Sequence, residues 1–335
     1  MAEATQADNI DTGGWVPAEP IAFPPLFVWP PRPLALLKWL FGVPGYLFPW
    51  NVSYAAIAFL IWVTLIPPIE EMKTLEFGWI ARLLAINLAL IVAVTSAWHL
   101  QLYTRRAQDI AFKYNKRWPK ENAAFLFGDQ HIDNVIWTVL SGVPIATAYL
   151  VVTLWAMANG WLPVVEWAEH PIYLVLVMLA TQLFRDAHFF CIHRLIHWPP
   201  LYRWVHSIHH KNANPGPWSG LAMHPVEHVL YFSSVLIHWI VPSNPLLVLY
   251  HLVAASCGPA RDHCGFAKVV TKGGIQVAAA SYMHYLHHRL FEVNYGDGMV
   301  PIDRWIGTWH DGSRAAHEAM NRRFRGKTRD GAIEA

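Results

Sequence analysis

The chain has 335 residues, of which 54% are hydrophobic and only 14% are charged, with a formal net charge of +2. Its mean hydropathy is +0.25. Since soluble domains carry about 25% charged residues, this composition excludes an ordinary soluble domain and indicates an integral membrane protein. Three scattered cysteines, Cys191, Cys257 and Cys264, exclude a disulfide framework.

The N-terminal part of the chain differs from a membrane span. Residues 1–14 are acidic and polar, without a basic start or an apolar core. We therefore expect no secretory signal, and we expect the spans themselves to direct insertion. Prolines recur from Pro20 to Pro33, and proline disfavours a helix interior. Residues 1–45 are therefore predicted to be a proline-rich, extended segment along the membrane interface or the cytosolic surface.

Four apolar stretches are long enough to cross the hydrocarbon core, which takes about 20 helical residues. They cover residues 46–67, 79–100, 135–158 and 171–184, the last with a continuation beyond it. Residues 46–184 are therefore predicted to form a four-span membrane domain. The fold class that follows is an all-α integral membrane protein with a cytosolic helical cap.

Loop charge predicts the orientation of the spans. The loop of residues 104–133 is basic, with Arg105, Arg106, Lys113, Lys116, Arg117 and Lys120. The loops on the other side carry mainly glutamate, and basic loops stay in the cytoplasm. Both termini are thus expected to be cytoplasmic. The tail of residues 313–335 is also basic, which fits either a solvated face or attraction to anionic headgroups.

Eight histidines fall into three tight clusters around and after the end of the fourth span. They are His193 and His197; His206, His209 and His210; and His284, His287 and His288. Residues three and four apart lie on one face of a helix, so each cluster is predicted to project its imidazoles in one direction. We predict that all eight are catalytic metal ligands that converge on two ions. Eight imidazoles exceed what one zinc ion needs, and imidazole also suits iron and copper.

Further histidines accompany these clusters. His224 and His263 are also predicted as metal ligands, although Pro225 makes His224 a helix-entry residue, for which capping is the alternative. His188 and His228 are additional candidates; His188 lies about 140° around the helix from His193. The remaining histidines singled out are expected to be packing residues: His99, His131, His170, His238, His251 and His317.

Carboxylates are expected to orient the imidazoles and to offset the charge of the metal ions. The candidates near the clusters in sequence are Asp186, Glu227, Asp262 and Asp303. Together with the histidines they define a predicted catalytic domain over residues 185–312. It includes an apolar stretch, residues 226–258, interrupted at Pro242 and Pro245. A re-entrant or interfacial helical hairpin is preferred there over two full crossings, and both leave all three clusters on the cytoplasmic side.

These residues carry a family resemblance. The matching motifs, in the family's order over about residues 180–310, are His193-Arg-Leu-Ile-His197, His206-Ser-Ile-His209-His210, His224-Pro-Val-Glu227, His263-Cys-Gly-Phe266, His284-Tyr-Leu-His287-His288, Asn294-Tyr-Gly296 and Asp303-Arg-Trp-Ile-Gly307-Thr308. The chain thereby resembles the fatty acid hydroxylase and sterol desaturase superfamily of membrane-bound oxygenases.

The resemblance implies an oxidoreductase that hydroxylates or desaturates a C–H bond of a membrane lipid. It implies two non-haem iron ions, O2 as cosubstrate and an external electron donor, such as a separate reductase, ferredoxin or cytochrome. A sterol, an acyl chain, a sphingoid base and an aminolipid headgroup are all compatible substrates. Neither a nucleic-acid partner nor a particular oligomeric state is expected from these motifs.

A membrane cytochrome and a metal-handling membrane protein are the two alternative classes of function. A membrane cytochrome normally places single histidines midway along facing spans, whereas these histidines cluster near span ends. A metal-handling protein that transports ions needs polar residues along the middle of several spans. The four predicted spans are nearly free of such residues.

Overall fold

The computed structural model of the chain describes residues 10, 13–18, 21, 23–271 and 273–330. Most of the polar start, residues 1–14, for which no secretory signal is expected, lies outside these described residues. Residues 331–335 of the predicted basic tail also lie outside them. The described part of the chain is mainly helical.

The N-terminal segment combines an extended region with a short helix. Its proline-rich stretch contains a 3-10 turn, Pro25–Phe27, and helix α1 (Pro33–Phe41) begins where the prolines end. Pro33 occupies a first helical position, which tolerates proline. Leu34 and Phe41 of α1 are exposed, at 82% and 59%. An apolar face of this kind fits the predicted position at the membrane interface.

Four helices are long and apolar enough to cross a membrane, and they confirm the four predicted spans. The first is a π-helical turn continued by α2 (Val52–Thr64), and the second is α3 (Phe77–His99) with a further π turn to Thr104. In the third, α4 (Gln130–Trp137) continues through a π turn into α5 (Val143–Ala158). The fourth is α6 (Pro171–Ile196). The four continuous helices have 18, 28, 29 and 26 residues, so the chain is an all-α integral membrane protein.

Helix α6 crosses the predicted border between the membrane and catalytic domains at residue 184. It continues unbroken from Pro171 to Ile196. Its first part therefore belongs to the bundle, and its last turns carry the first histidines of the site. The predicted border at residue 184 therefore lies inside one continuous helix.

The cap is built from short elements after α6. They are α7 (Pro199–Leu201), a π turn Tyr202–His206, α8 (Ser207–His210), a 3-10 turn Pro217–Leu221, α9 (Pro225–Phe232), a 3-10 segment Ser233–Trp239, α10 (Pro245–Asp262), the antiparallel strands β1 (Lys268–Val270) and β2 (Gln276–Ala278), α11 (Tyr282–Leu290), α12 (Ile302–Trp305) and α13 (Arg314–Asp330).

The predicted apolar hairpin is present as two helical legs, α9 with its 3-10 extension and α10. Fifteen of the eighteen residues of α10 are buried, so this leg is part of the protein core. The turn between the legs lies against the loop that joins α5 to α6. There Val165 N donates to Ser243 O (2.8 Å), and Tyr173 OH donates to Pro242 O (2.7 Å). The hairpin therefore reaches the loop that joins the third and fourth spans.

The basic loop of residues 104–133 packs against the cap. Tyr114 N donates to Gly265 O (3.0 Å), and Ala267 N donates to Phe112 O (2.9 Å). Within this loop Lys113 is fully buried, and its ammonium donates to Asn115 O (2.7 Å). Burial lowers the pKa of Lys113 to about 8. The basic loop and the cap therefore lie at the same end of the bundle.

One glycine is required by the close approach of the 3-10 turn Pro217–Leu221 to α10. A Cβ atom on Gly220 would lie 2.4 Å from Pro259 O. We expect Gly220→Ala to push this turn away from the end of α10 and to destabilise the protein by roughly 1–3 kcal/mol, as overpacking does. The measurement is the thermal unfolding midpoint of the purified protein in detergent.

Gly78→Ala is the matched control for Gly220→Ala. A Cβ at Gly78 meets no atom within 4 Å, and Gly78 lies in a helix, where alanine is favourable. The control should unfold at or above the midpoint of the unmodified chain. An unchanged midpoint for Gly220→Ala would contradict the close packing.

Candidate metal centre

The eight clustered histidines and His263 come from four places in the fold. The end of α6 and its C-cap supply His193 and His197, and the region from the π turn to α8 supplies His206, His209 and His210. His263 follows α10 directly. One helix, α11, supplies His284, His287 and His288. These elements bring the three sequence clusters together at one end of the bundle.

The imidazoles form two spatial groups rather than three. Within each group, one potential ligand atom from every residue lies within 4.8 Å of all the others. Group A consists of His193, His197, His206, His210 and His287. Group B consists of His209, His263, His284 and His288. His209 and His210 are neighbours in sequence but belong to different groups, with ring centroids 5.9 Å apart.

In group A, the Nε2 atoms point toward one another. His197 Nε2 lies 3.2 Å from both His210 Nε2 and His287 Nε2, and the latter two are 3.0 Å apart. His193 Nε2 lies 3.1 Å from His206 Nε2. Two nitrogens bound at right angles to one metal at about 2.1 Å would be separated by about 3.0 Å. The spacing therefore fits a shared metal ion.

Group B shows the same convergence. His263 Nε2 lies 3.2 Å from His209 Nε2 and 2.8 Å from His284 Nε2. Both ring nitrogens of His288 are buried and have no hydrogen-bond partner among the described residues. A buried imidazole without a partner is costly, and a metal ion would satisfy it. Group B therefore also fits a metal ion.

In three of these rings, Nε2 faces the other imidazoles and the second ring nitrogen, Nδ1, bonds a backbone carbonyl. His193 Nδ1 donates to Tyr295 O (2.6 Å), His287 Nδ1 to Val293 O (2.6 Å), and His263 Nδ1 to Pro259 O (2.9 Å). A carbonyl oxygen accepts only, so Nδ1 carries the proton and Nε2 keeps its lone pair. This is the tautomer that a metal ligand needs.

Burial holds these imidazoles in the neutral form. It lowers the pKa of His206 and of His287 to about 3, and it lowers the pKa of His209 to about 4. The same desolvation, with neighbouring imidazoles as a smaller cause, lowers the pKa of His210 and His288. Neutral imidazoles bind a metal without first releasing a proton.

Three predicted ligand candidates lie outside both groups. His224 is the N-cap of α9, and its Nδ1 accepts from Val226 N (3.1 Å), because Pro225 starts a helix there. The prediction of His224 as a ligand is therefore corrected to capping. His228 bonds Ser141 Oγ (2.9 Å) and Leu221 O (3.1 Å). His188 bonds Ser233 Oγ (3.0 Å), because its position on α6 turns it away from His193.

The histidines expected to be packing residues also lie outside the two groups. His238 and His251 are buried and bond each other (3.1 Å), and the rings of His99 and His131 touch edge to face. His170 is exposed at the N-cap of α6. His317 packs its ring near that of His310.

Only one of the four predicted carboxylates contacts an imidazole of the two groups. Glu227 Oε1 lies 2.8 Å from His206 Nδ1. Both side chains are buried, and burial raises the pKa of Glu227 to about 8. Burial alone favours the neutral carboxyl, whereas a bound cation would favour the carboxylate, which accepts from His206 Nδ1.

The other three predicted carboxylates accept hydrogen bonds from backbone amides or pair with an arginine, so they do not bond an imidazole of the two groups directly. Asp303 accepts from Tyr295 N (2.9 Å) and Gly296 N (2.8 Å). It thus supports the segment whose Tyr295 carbonyl bonds His193. Asp186 accepts from the amides of Asp297 and Val300, and Asp262 pairs with Arg261 (2.6 Å).

Asp297 was missed by the sequence analysis. Its Oδ1 lies 3.6 Å from His284 Nδ1, which has no other partner among the described residues. The side chain is 40% exposed and lines the cavity beside the site. Asp297 follows the motif Asn294-Tyr-Gly296 directly. Its place directly after this motif is the feature of the sequence that could have identified Asp297 as a site residue.

Two adjoining cavities lie beside the imidazoles. The larger has a volume of about 350 Å³, with walls that include Trp39, Trp50, Arg185 and Asp297. The smaller, about 30 Å³, is lined by imidazoles of both groups, including His193, His209 and His284. Arg185 and Asp297 line both cavities. A substrate in the larger cavity would therefore lie next to the imidazoles.

Known proteins share the part of the chain that holds the site. The model of the fatty acid hydroxylase family matches residues 174–308. A Delta(7)-sterol 5(6)-desaturase of Gibberella zeae is 31% identical over 140 residues, which are 41% of this chain and 42% of the relative. That of Candida glabrata is 29% identical over 181 residues, covering 51% and 47%. Methylsterol monooxygenase 1 of Gallus gallus is 26% identical over 147 residues, covering 43% and 50%.

The chain thus spans about half the length, or less, of these curated relatives. No solved structure matches it. The matched region, residues 174–308, contains all nine imidazoles of groups A and B. Together with the two-group geometry, the matches confirm the family that the motifs predicted. The part of the chain that holds the site, residues 174–308, thus matches the fatty acid hydroxylase family and is similar to sterol desaturases and a methylsterol monooxygenase.

Proposed function

We propose that the chain is an oxidoreductase that uses O2 to hydroxylate or desaturate a C–H bond of a membrane lipid. The observation that carries the proposal is the pair of imidazole groups, five and four residues, beside a cavity. The relatives are named as sterol desaturases and a methylsterol monooxygenase, which supports oxidation of a lipid.

The nine imidazoles of groups A and B are proposed to hold two non-haem iron ions. Bound iron would supply the redox chemistry that activates O2, which imidazole-bound zinc lacks. The protein residues keep the ligands neutral and fix their tautomers. The backbone carbonyls of Tyr295 and Val293 and the carboxylate of Glu227 orient three of the rings.

Electron balance requires a separate donor. Hydroxylation of R–H by O2 consumes two electrons and two protons, and it yields R–OH and one water. Desaturation consumes the same inputs, removes two hydrogens from adjacent carbons and yields two waters. We propose a reductase, ferredoxin or cytochrome as the electron donor.

The proposed membrane orientation places the site in the cytoplasm. Residues 112–114 pair with residues 265–267, so the basic loop and the cap share one end of the bundle. Since basic loops remain cytoplasmic, the site and both termini are assigned to that side. The proposed organisation is an interfacial segment (1–45), a membrane domain (46–184), a catalytic domain (185–312) and a basic tail (313–335).

The geometry disfavours the other two classes of function. A haem uses at most two axial ligands, whereas groups A and B hold five and four imidazoles. The space between the imidazoles is about 30 Å³, which is far too small for a haem. A transport route would need polar residues through the spans. The described imidazole groups instead converge at one end.

The proposed function is tested with purified full-length protein in lipid nanodiscs. Metal content is measured first, and the reduced protein is then incubated with a lipid extract under oxygen-18 gas. Mass spectrometry should reveal a lipid that has gained one labelled oxygen or has lost two hydrogens. Protein stripped by a chelator should lose this activity and regain it with iron but not with zinc. Oxidation that persists without iron or without O2 would overturn the proposal.

A further inference from the structure

The larger cavity contains several charged side chains, and their partners differ. Arg261 donates two hydrogen bonds to Asp262 (2.8 and 2.6 Å), so these two charges neutralise each other. Asp297 faces His284 of group B. Arg185 differs from these residues in having no close charged partner. No carboxylate oxygen of the described residues lies within 4.0 Å of its guanidinium.

Neutral groups hold the Arg185 guanidinium in a fixed position. Its Nη1 donates to Gln182 Oε1 (2.5 Å), and its Nη2 donates to Tyr231 OH (3.3 Å). The Gln182 amide is itself anchored, because its Nε2 donates to Tyr250 OH (2.9 Å). Tyr231 OH in turn donates to Ala255 O (2.9 Å). The arginine is therefore oriented by hydrogen bonds to neutral groups, and Asp297, on the same cavity, stabilises its charge only at longer range.

An oriented cation without a directly bonded counter-ion is costly inside a membrane protein. Ionisable groups within spans normally pair with one another or mark a functional path. Arg185 lies on the fourth span, two turns before His193, and it borders both cavities. Guanidinium groups bind carboxylate and phosphate through paired hydrogen bonds. An anionic group that bonds the guanidinium directly is therefore best supplied by the substrate.

We propose that Arg185 binds an anionic group of the lipid substrate, a carboxylate or a phosphate. This inference rests on the proposed function, since it assigns the substrate of the same site. Apolar surface for the lipid chain is available on the same cavity, where Trp39, Trp50 and Phe189 form part of the wall. Arg185 thus acts as a specificity-determining residue.

The geometry also limits where the lipid is oxidised. Arg185 and imidazoles of both groups line the small cavity, which has a volume of about 30 Å³. A cavity of this size holds only about two water molecules or methylene groups, since about 10–15 Å³ suffices for one water. An anionic group held by Arg185 would therefore place only the nearest carbons of the chain beside the imidazoles. The oxidised carbon is expected near the anionic end, not in the middle of the chain.

The test is equilibrium binding of tritiated hexadecanoic acid to the purified full chain in detergent, by a scintillation proximity assay. Unlabelled hexadecyl phosphate should displace it as well as unlabelled hexadecanoic acid does. Hexadecanol, which has the same chain and no charge, should be at least about tenfold weaker, since a hydrogen bond to a charged group contributes that much. Inorganic phosphate should displace nothing at millimolar concentration. Displacement by inorganic phosphate would assign a free-anion site and would overturn the lipid assignment.

Three variants complete the test. Arg185→Gln should bind hexadecanoic acid at least about tenfold more weakly and should lose the preference over hexadecanol. Arg185→Lys keeps the charge and should retain the preference. Arg82→Gln removes an exposed arginine from α3 and should bind as the unmodified chain does. Equal binding of acid and alcohol by the unmodified chain, or a preserved preference in Arg185→Gln, would overturn the proposal.

Folding and function are measured separately. The metal content and unfolding midpoint of each variant show whether the protein remains intact. If Arg185→Gln is unstable, loss of the preference in a stable, metal-loaded Arg185→Lys overturns the charge assignment. Binding needs no turnover, so anion-selective binding without lipid oxidation would contradict the proposed function and leave this inference intact. Oxidation of uncharged lipids by a protein without anion-selective binding would support the proposed function and overturn the assignment of Arg185.

Discussion

Replacing His263 by alanine is expected to remove one of two bound metal ions and to abolish lipid oxidation. His263 Nε2 lies between His209 Nε2 (3.2 Å) and His284 Nε2 (2.8 Å) in group B. Its loss leaves three of four imidazoles there, while all five of group A remain. The metal-to-protein ratio should fall from two toward one, and turnover should fall by more than the roughly 10- to 100-fold typical of an outer-shell change.

His224→Ala is the matched control for His263→Ala. Sequence reasoning predicts both residues as ligands, but the structure places His224 at the N-cap of α9, outside both groups. The His224 variant should keep two metal ions and most activity, with a loss of about 0.5–2 kcal/mol of stability from the missing cap. Metal analysis and oxygen-18 turnover compare the two proteins directly. Loss of a metal ion from the His224 variant but not from the His263 variant would contradict the grouping.

The contrast between these two histidines shows what the sequence could predict. Spacing predicted that His206, His209 and His210 project in one direction, whereas the structure places His206 and His210 in group A and His209 in group B. Spacing could not predict that His209 and His210 belong to different groups. That division depends on how α8 packs between α6 and α11, which is a tertiary arrangement that local spacing does not encode. The four spans were predictable, because each needs only a long apolar run.

The carboxylates were harder to assign for a related reason. Asp186, Asp262 and Asp303 are near the clusters in sequence, but their oxygens are used by backbone amides or by Arg261. Asp297 contacts the ring of His284 because the loop after Tyr295 folds back toward the end of α6. Sequence distance says little about contacts that irregular loops create. Glu227 was predictable because it lies in the first turn of α9, in a motif with His224.

Substitution of Glu227 is the second change with a large expected effect. Glu227 Oε1 lies 2.8 Å from His206 Nδ1, and both side chains are buried. Glu227→Ala removes the acceptor, so the His206 N–H remains unsatisfied and its ring is free to turn. Metal affinity or activity should fall about 10- to 100-fold, as for other groups that orient a ligand. The measurement is metal retention of group A during titration with a chelator.

Glu227→Gln separates orientation from charge. The glutamine carbonyl can accept from His206 Nδ1 as the carboxylate does, but it carries no negative charge. If orientation dominates, this variant should retain metal nearly as well as the unmodified chain. If charge compensation dominates, it should resemble Glu227→Ala, because neutral imidazoles cancel none of the charge of a metal ion. Glu70→Ala, an exposed change in the loop between α2 and α3, is the control and should have no effect. Metal retention by Glu227→Ala equal to that of this control would exclude any role for the carboxylate in holding His206.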